Sequence, residues 1–364
     1  MQVVVLPIVG AVGDYSRRKR QMLGIFAWTG AGATILMCLV DADSWKLGSV
    51  LFLIANLAYG ASIVIYNSFL PEIAAPEERD SVSSTGWGIG FLGGGILLAL
   101  NLLLYGRAAS LGLTEAQAVR ISLASAGLWW AVFTLIPIAA IRNRGEPRAL
   151  ADGQTYLSAG FRQLRHTLGQ IRGYPQTLLF LLAYLAYNDG IQSVITLASQ
   201  FGSEELHLPV SVLTGAILLA QFVAFFGALA FDRLARRIGN KHAVMVSLVI
   251  WSGALVYVYL ALQTARQFYA LAAVIGTVLG GSQALSRSIF SLMIPDGQEA
   301  EYFSIYEVSD KGSSMLGPFV FGLAVHWTGS SRVALLSLIM FFIVGLALLA
   351  KVDVRRGAIE ASGA

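Results

Sequence analysis

Tyr184, Asn188, Gln192 and Thr196 recur every fourth residue through an otherwise apolar stretch, and Asp189 stands in the same run. Residues four apart share one face of a helix, so the spacing predicts a polar stripe with a carboxyl beside it. The amides and the phenol can bind a polar solute, and a carboxyl can take up and release a proton. Asp189 lies fourteen residues beyond Pro175, about 21 Å along a helix rising 1.5 Å per residue. That is somewhat past the middle of a hydrocarbon layer about 30 Å thick. An acid at this depth costs about 2.5–3.5 kcal/mol, so it is expected to face a polar cavity or a partner. Two readings stand: Asp189 couples solute movement to a proton, or it pairs with a base or caps a helix break at Gly190.

Arg287 is the complementary feature, with Gln283 one turn before it and Ser291 one turn after. A guanidinium offers a planar fork to a carboxylate, which makes Arg287 and Gln283 candidates for a solute's acid group. The alternative is a structural pairing with Asp310, Glu307 or a backbone carbonyl. Asn56, Tyr59, Ile63 and Asn67 form a mixed stripe in the first half, placing Asn56 and Asn67 on an opposite wall or as glue between helices. Asp310 and Lys311 are expected at a helix start as an ion pair. Enzyme signatures are absent: His166, His207, His242 and His326 are scattered, and no HExxH, Gly-x-Ser-x-Gly or phosphate-loop pattern occurs. No catalytic residue, metal site or cofactor is expected, and the chain is not read as an enzyme.

The elements that must position these residues are membrane helices. Hydrophobic residues make up 56% of the 364 and charged residues 13%, against about 25% charged in soluble domains. Eleven apolar stretches are expected, roughly 1–13, 22–40, 47–70, 84–105, 118–141, 175–199, 209–231, 243–262, 268–294, 309–328 and 331–350. Most of the 25 Lys and Arg fall in alternate loops, around Arg17–Arg20, Arg79, Arg142–Arg172, Arg233–Lys241 and Lys351–Arg356. The positive-inside rule puts those loops and the C-terminus in the cytoplasm of a cell whose inner membrane holds the chain. Met1 would then lie outside without a preceding span, so one helix is expected upstream of it. The division expected is an incomplete five-span bundle over 1–141, a cytoplasmic linker over 142–174, a six-span bundle over 175–351 and a cytoplasmic tail over 352–364. In the linker, Arg162, Arg165, His166 and Arg172 alternate with Phe161, Leu164, Leu168 and Ile171, the pattern of an amphipathic surface helix. The net charge of +4 sits in these loops, which argues for the bilayer as partner and against nucleic acid. Cys38 stands alone, so no internal disulfide is possible.

The two halves repeat each other. Gly10-Ala-Val-Gly-Asp14 leads into Arg17, Arg18, Lys19, and Ala228-Leu-Ala-Phe-Asp232 leads into Arg233, Arg236 and Arg237. Each copy puts a small residue and an acid at a helix end ahead of a basic cluster. These are candidate gating loops, since the acid can pair in one conformation and part in another. A second pair is Tyr66-Asn-Ser-Phe-Leu-Pro71 and Phe290-Ser-Leu-Met-Ile-Pro295, each followed by acids and glycines. The glycine series Gly86, Gly90 and Gly94 on one side, and Gly317-Pro318 on the other, reads as close helix packing. Parallel repeats of this kind mark a transporter architecture.

At these residues the chain resembles the major facilitator superfamily. The loop from Gly10 to Lys19 is similar to the superfamily's signature loop, which implies a part in switching between inward- and outward-facing states. Tyr15 and Arg17 depart from that pattern. Asn67-Ser-Phe-Leu-Pro71, Ser83-Ser-Thr-Gly-Trp-Gly-Ile-Gly90, Tyr187-Asn-Asp-Gly190, Gly281-Ser-Gln-Ala-Leu-Ser-Arg287 and Tyr306-Glu-Val-Ser-Asp-Lys311 together resemble the vacuole effluxer-like family, in its bacterial form. The resemblance implies an all-α membrane protein of two six-helix pseudo-repeats, here with the first helix missing and eleven spans. It implies a monomeric secondary transporter that moves a small solute, an amino acid above all, by alternating access, with proton-coupled efflux as one mode. A permease for lipid or muropeptide, and a non-transporting sensor that kept the fold, are the alternatives.

Overall fold

The computed structural model describes residues 1–41, 43–142, 169, 173–312 and 315–362. The proposed amphipathic helix over Phe161–Arg172 lies outside them except for residue 169. The helices that matter are α1 (Gln2–Tyr15), α2 (Lys19–Leu36), α3 (Trp45–Ser68), α4 (Arg79–Gly106), α5 (Glu115–Ala140), α6 (Pro175–Glu204), α7 (Val210–Ile238) and α8 (Asn240–Leu260). They continue with α9 (Ala265–Leu292), α10 (Glu299–Gly312), α11 (Leu316–Thr328), α12 (Ser331–Ser337), α13 (Ile339–Lys351) and α14 (Val354–Ser362).

Among the described residues, nine helical segments are long and apolar enough to cross a bilayer. Eleven spans were expected, and the two others have identifiable fates. Helix α1 is apolar but short. Of the stretch 309–328, the described residues belong to α10 up to Gly312 and to α11 from Leu316. Pro318 sits in the first turn of α11, where a missing N–H costs no hydrogen bond. Within the tail beyond Lys351, Val354–Ser362 forms α14.

Two compact units result, and their boundaries differ from the expected halves. The first comprises Met1–Ile73, Ile96–Gly169 and Asp296–Val308; the second comprises Ala74–Gly95, Gln170–Pro295 and Ser309–Ala364. The reason is that α4 and α10 each begin among helices of the other repeat.

In the first unit α2 packs on α3 and α5, and α1 packs on α3. Leu23, Ile65 and Phe69 bury against Ala300 of α10, and Leu6, Ala61 and Val64 pack with Val308. Small residues permit the α2–α5 approach. A Cβ on Gly127 would stand 2.7 Å from the Ala31 carbonyl oxygen. Thr114 and Gln117 form a capping box at the start of α5, satisfying amides that have no partner within the helix.

In the second unit the α7–α9 pair is the main seam. A Cβ on Gly227 would lie 2.3 Å from the Thr277 carbonyl oxygen, and one on Gly280 would lie 2.3 Å from that of Ala224. Close backbone approach through small residues is how apolar helices gain packing in a solvent as apolar as themselves. Helix α6 packs on α13, where a Cβ on Gly345 would meet Tyr187 Cβ at 2.6 Å. Gly239, at φ +87°, makes the turn from α7 to α8 in a conformation that favours glycine.

Candidate functional site

In the second unit the polar stripe of α6 converges on one acceptor. Tyr184 Oη donates to Asp310 Oδ1 at 3.4 Å, Asn188 Nδ2 at 2.6 Å and Gln192 Nε2 at 3.3 Å. Lys311 pairs with the other carboxylate oxygen. Thr196, the fourth member by spacing, is exposed. Asp310 is not at a helix start, as the apolar boundaries suggested. It lies eleven residues into α10, about 16 Å from its beginning, because the helix starts within the acidic segment at Glu299.

The hub extends to α9. Gln283 Nε2 donates to Asn188 Oδ1 at 3.0 Å, and Tyr187 Oη shares a hydrogen bond with Ser286 Oγ at 2.6 Å. One turn on, Arg287 turns to α4: its Nε donates to Ser83 Oγ at 2.9 Å and its Nη2 to the Ser83 carbonyl at 3.1 Å. Its guanidinium also lies over the Trp87 ring at 5.8 Å. Ser83 Oγ in turn donates to the Ala284 carbonyl at 2.6 Å, and Arg79 donates to that of Ser291 at 2.6 Å. A backbone carbonyl, one of the partners the sequence left open for Arg287, is met here together with the Ser83 hydroxyl.

Asp189 stands apart from this network. Its side chain is fully buried, yet neither carboxylate oxygen has a hydrogen-bond partner among the described residues. The Gly317 backbone amide is directed at it. A Cβ on Gly317 would fall 1.8 Å from Ser193 Oγ and 3.3 Å from Asp189 Oδ2, so the first turn of α11 lies directly on this acid. A carboxyl buried in a membrane-spanning helix is costly to keep. Beyond Gln192, the same α6 helix contributes Val194, Ile195 and Ala198 to an apolar cavity closed by Leu213, Gln221 and Phe268.

In the first unit, Asn67 Nδ2 donates to Glu307 Oε1 at 2.8 Å in a buried contact. Asn56 is exposed and accepts from Gln2 Nε2 at 2.6 Å, so the α3 stripe does not form one wall: its two asparagines have different surroundings.

The paired loops also differ. Asp14 Oδ1 accepts the Ala300 N–H at 2.9 Å and Oδ2 the Glu301 N–H at 2.8 Å. These are amides in the first turn of α10, which Asp14 caps from another helix. Gly10 permits it, since a Cβ there would stand 2.3 Å from the Ala300 carbonyl oxygen. Lys19 is buried against Glu72 Oε1 at 2.8 Å and over Phe69, while Arg18 is exposed. In the second unit, Asp232 pairs with Arg236 of its own helix, and its Oδ1 has no partner among the described residues. Arg233 and Arg237 are exposed.

Of the packing glycines, Gly86 is half-buried and Gly90 exposed; a Cβ on Gly90 would meet nothing within 4 Å, and one on Gly94 only Gln221 Nε2 at 3.1 Å. The close face of α4 is instead Gly88, 3.3 Å from Phe225 Cδ2, and Gly95, 3.3 Å from Gln221 Cβ. The spacing Gly86-x-x-x-Gly90 gave no information on which side of the helix meets a neighbour. No group of His, Cys, Asp and Glu among the described residues has the arrangement of a metal site.

Comparison with known proteins agrees with this architecture. A solved fucose transporter, FucP, described as a major facilitator superfamily transporter in the outward conformation, superposes with a TM-score of 0.68 at 13% identity. That match covers 97% of this chain and 88% of FucP. A bacterial homologue of the iron transporter ferroportin superposes with a TM-score of 0.66 at 17% identity, covering 96% of this chain and 88% of that one. Among curated relatives, an uncharacterised MFS-type transporter, YxiO of Bacillus subtilis, is 30% identical over 350 residues, or 94% of this chain and 80% of YxiO. Autophagy-related protein 22 of Eremothecium gossypii is 27% identical over 393 positions, covering 99% of this chain and 76% of that protein. Family and fold are those of multi-pass transporters, not enzymes. With residues 1–362 matching the description "Vacuole effluxer Atg22 like", the chain belongs to the Atg22-like vacuole effluxer family of the major facilitator superfamily.

Proposed function

We propose that this transporter moves a small amino-acid-like solute by alternating access and couples the movement to a proton carried by Asp189. The observation that carries the reading is the fully buried Asp189 carboxyl, with neither oxygen hydrogen-bonded among the described residues, beside the polar stripe of α6. Tyr184, Asn188, Gln192 and Gln283 supply the polar surface, and Arg287 holds α9 to α4 at its edge. The loops at Asp14 and Asp232 gate. The family description supports efflux as the direction. The charge bias of the loops supports an inner-membrane location with a cytoplasmic C-terminus, and the chain acts as a monomer without nucleic-acid partners.

The test is transport in proteoliposomes with labelled neutral amino acids. Asp189→Asn should abolish concentrative uptake driven by a pH gradient and spare counterflow exchange. Equal loss of both would count against proton coupling at this residue.

A further inference from the structure

Asp189 and Ser193 stand four residues apart on α6, so their side chains share one face of the helix. Both are buried, at 0% and 2% exposure. Among the described residues, neither carboxylate oxygen of Asp189 has a hydrogen-bond partner, and nor does the hydroxyl of Ser193. Buried polar oxygens are nearly always satisfied, and three orphans one turn apart call for an occupant. The first turn of α11 marks where they converge. A Cβ on Gly317 would stand 1.8 Å from Ser193 Oγ and 3.3 Å from Asp189 Oδ2, so a side chain there would fill the space that both groups address. The polar stripe of α6 gives no relief, because Tyr184, Asn188 and Gln192 donate to Asp310 instead. No Lys, Arg or His among the described residues forms an ion pair with Asp189.

A carboxylate at this depth needs a partner, and the chemistry of the partner is narrow. A proton settles on one oxygen, whereas a metal cation engages all three at once. One carboxylate balances one positive charge. Calcium and magnesium need larger or stricter oxygen shells, and either would leave a net positive charge buried beside a single acid. The clusters of His, Cys, Asp and Glu that hold such ions do not occur among the described residues. We propose that Asp189 and Ser193 form a binding site for a monovalent metal cation, which the carboxylate neutralises and the hydroxyl helps to hold. Water and backbone carbonyls complete its shell. The inference rests on the reading of Asp189 as the coupling group and adds a second coupling ion there. Ser193 tells the two ions apart, since a proton on Asp189 does not require the hydroxyl.

The probe is sodium, and the full chain is tested in two ways. The first is the thermal midpoint in detergent at fixed pH and ionic strength, in sodium chloride or choline chloride. Sodium should raise the wild-type midpoint by about 2 °C or more over choline, and Asp189→Asn and Ser193→Ala should each lose that rise. The second is concentrative uptake of labelled neutral amino acids into proteoliposomes, driven by a sodium gradient or by a pH gradient. Ser193→Ala should raise the half-saturating sodium concentration at least about tenfold, the effect of losing one contact to a charge. Its loss of uptake should be far larger under the sodium gradient than under the pH gradient. A wild-type midpoint equal in sodium and choline overturns the inference, whatever the solute and whether or not the variants fold. So does a sodium rise that survives both substitutions. Either result leaves proton coupling at Asp189 standing. Uptake driven by sodium and never by a pH gradient supports the inference and overturns proton coupling.

Discussion

The two copies of the small-residue-plus-acid loop share a sequence pattern and part company in what they touch. In the first unit, Gly10 lets α1 lie against the Ala300 backbone, and Asp14 takes two α10 amides. In the second unit the small residue has changed sides: Ala228 carries its methyl group, and the glycine is Gly88 of α4, whose Cβ would be 3.7 Å from Ala228 Cβ. Among the described residues, Asp232 caps no helix across the crossing and pairs along its own helix with Arg236. The crossing is thus tight in the first copy and close to ordinary van der Waals contact in the second, and the acid latch is made in the first alone among the described residues. A duplicated motif does not guarantee a duplicated contact, and a switch built on these loops is asymmetric in this conformation.

Substitutions can break or sharpen that contrast. Gly10→Ala should be the most damaging, because the new methyl would fall 2.3 Å from a backbone oxygen that cannot turn away. Overpacking of this kind costs about 1–3 kcal/mol, read as a lower thermal midpoint in detergent together with loss of counterflow. Asp14→Ala should follow, at about 0.5–2 kcal/mol for a lost helix cap, with Asp14→Asn intermediate because its amide oxygen still accepts one N–H. Gly88→Ala should cost less than Gly10→Ala, since its nearest new contact is the Phe225 ring edge at 3.3 Å, which a small rotation clears. Asp232→Asn should cost about 0.5 kcal/mol or less, the value of an i,i+4 pair whose Arg236 is largely exposed. If Asp232→Asn proved as harmful as Asp14→Ala, the asymmetry would be gone. Gly90→Ala should leave the midpoint at or slightly above wild type, because open space surrounds it and alanine favours the helix.

The sequence was informative where a contact leaves a local period and silent where it does not. The four-residue spacing of Tyr184, Asn188 and Gln192 announced a shared face, and the structure has that face. Its acceptor is 118 to 126 residues away, and nothing in the spacing names it. Rising hydropathy points to a helix start at Asp310, although α10 begins eleven residues earlier among acids. The donors to Asp14 are backbone amides, which leave no mark on residue type. The glycines of α4 surround the helix, so periodicity alone favoured Gly86 and Gly90, and only the packed neighbours single out Gly88 and Gly95. The family motifs are the exception: quoted separately, they prove to be in contact. Ser83 meets Arg287, Gln283 meets Asn188, Asn188 meets Asp310 and Asn67 meets Glu307.

The distance along the chain between Asp14 and its two donors bears on biogenesis. The contacts span 286 and 287 residues, so a ribosome adding about 5–20 residues per second needs roughly 15–60 s to deliver α10 after Asp14 has been made. During that interval Asp14, Gly10 and the Leu23–Ile65–Phe69 cluster that Ala300 completes wait in the membrane without their partner. The first unit therefore completes its packing only after most of the chain has been made.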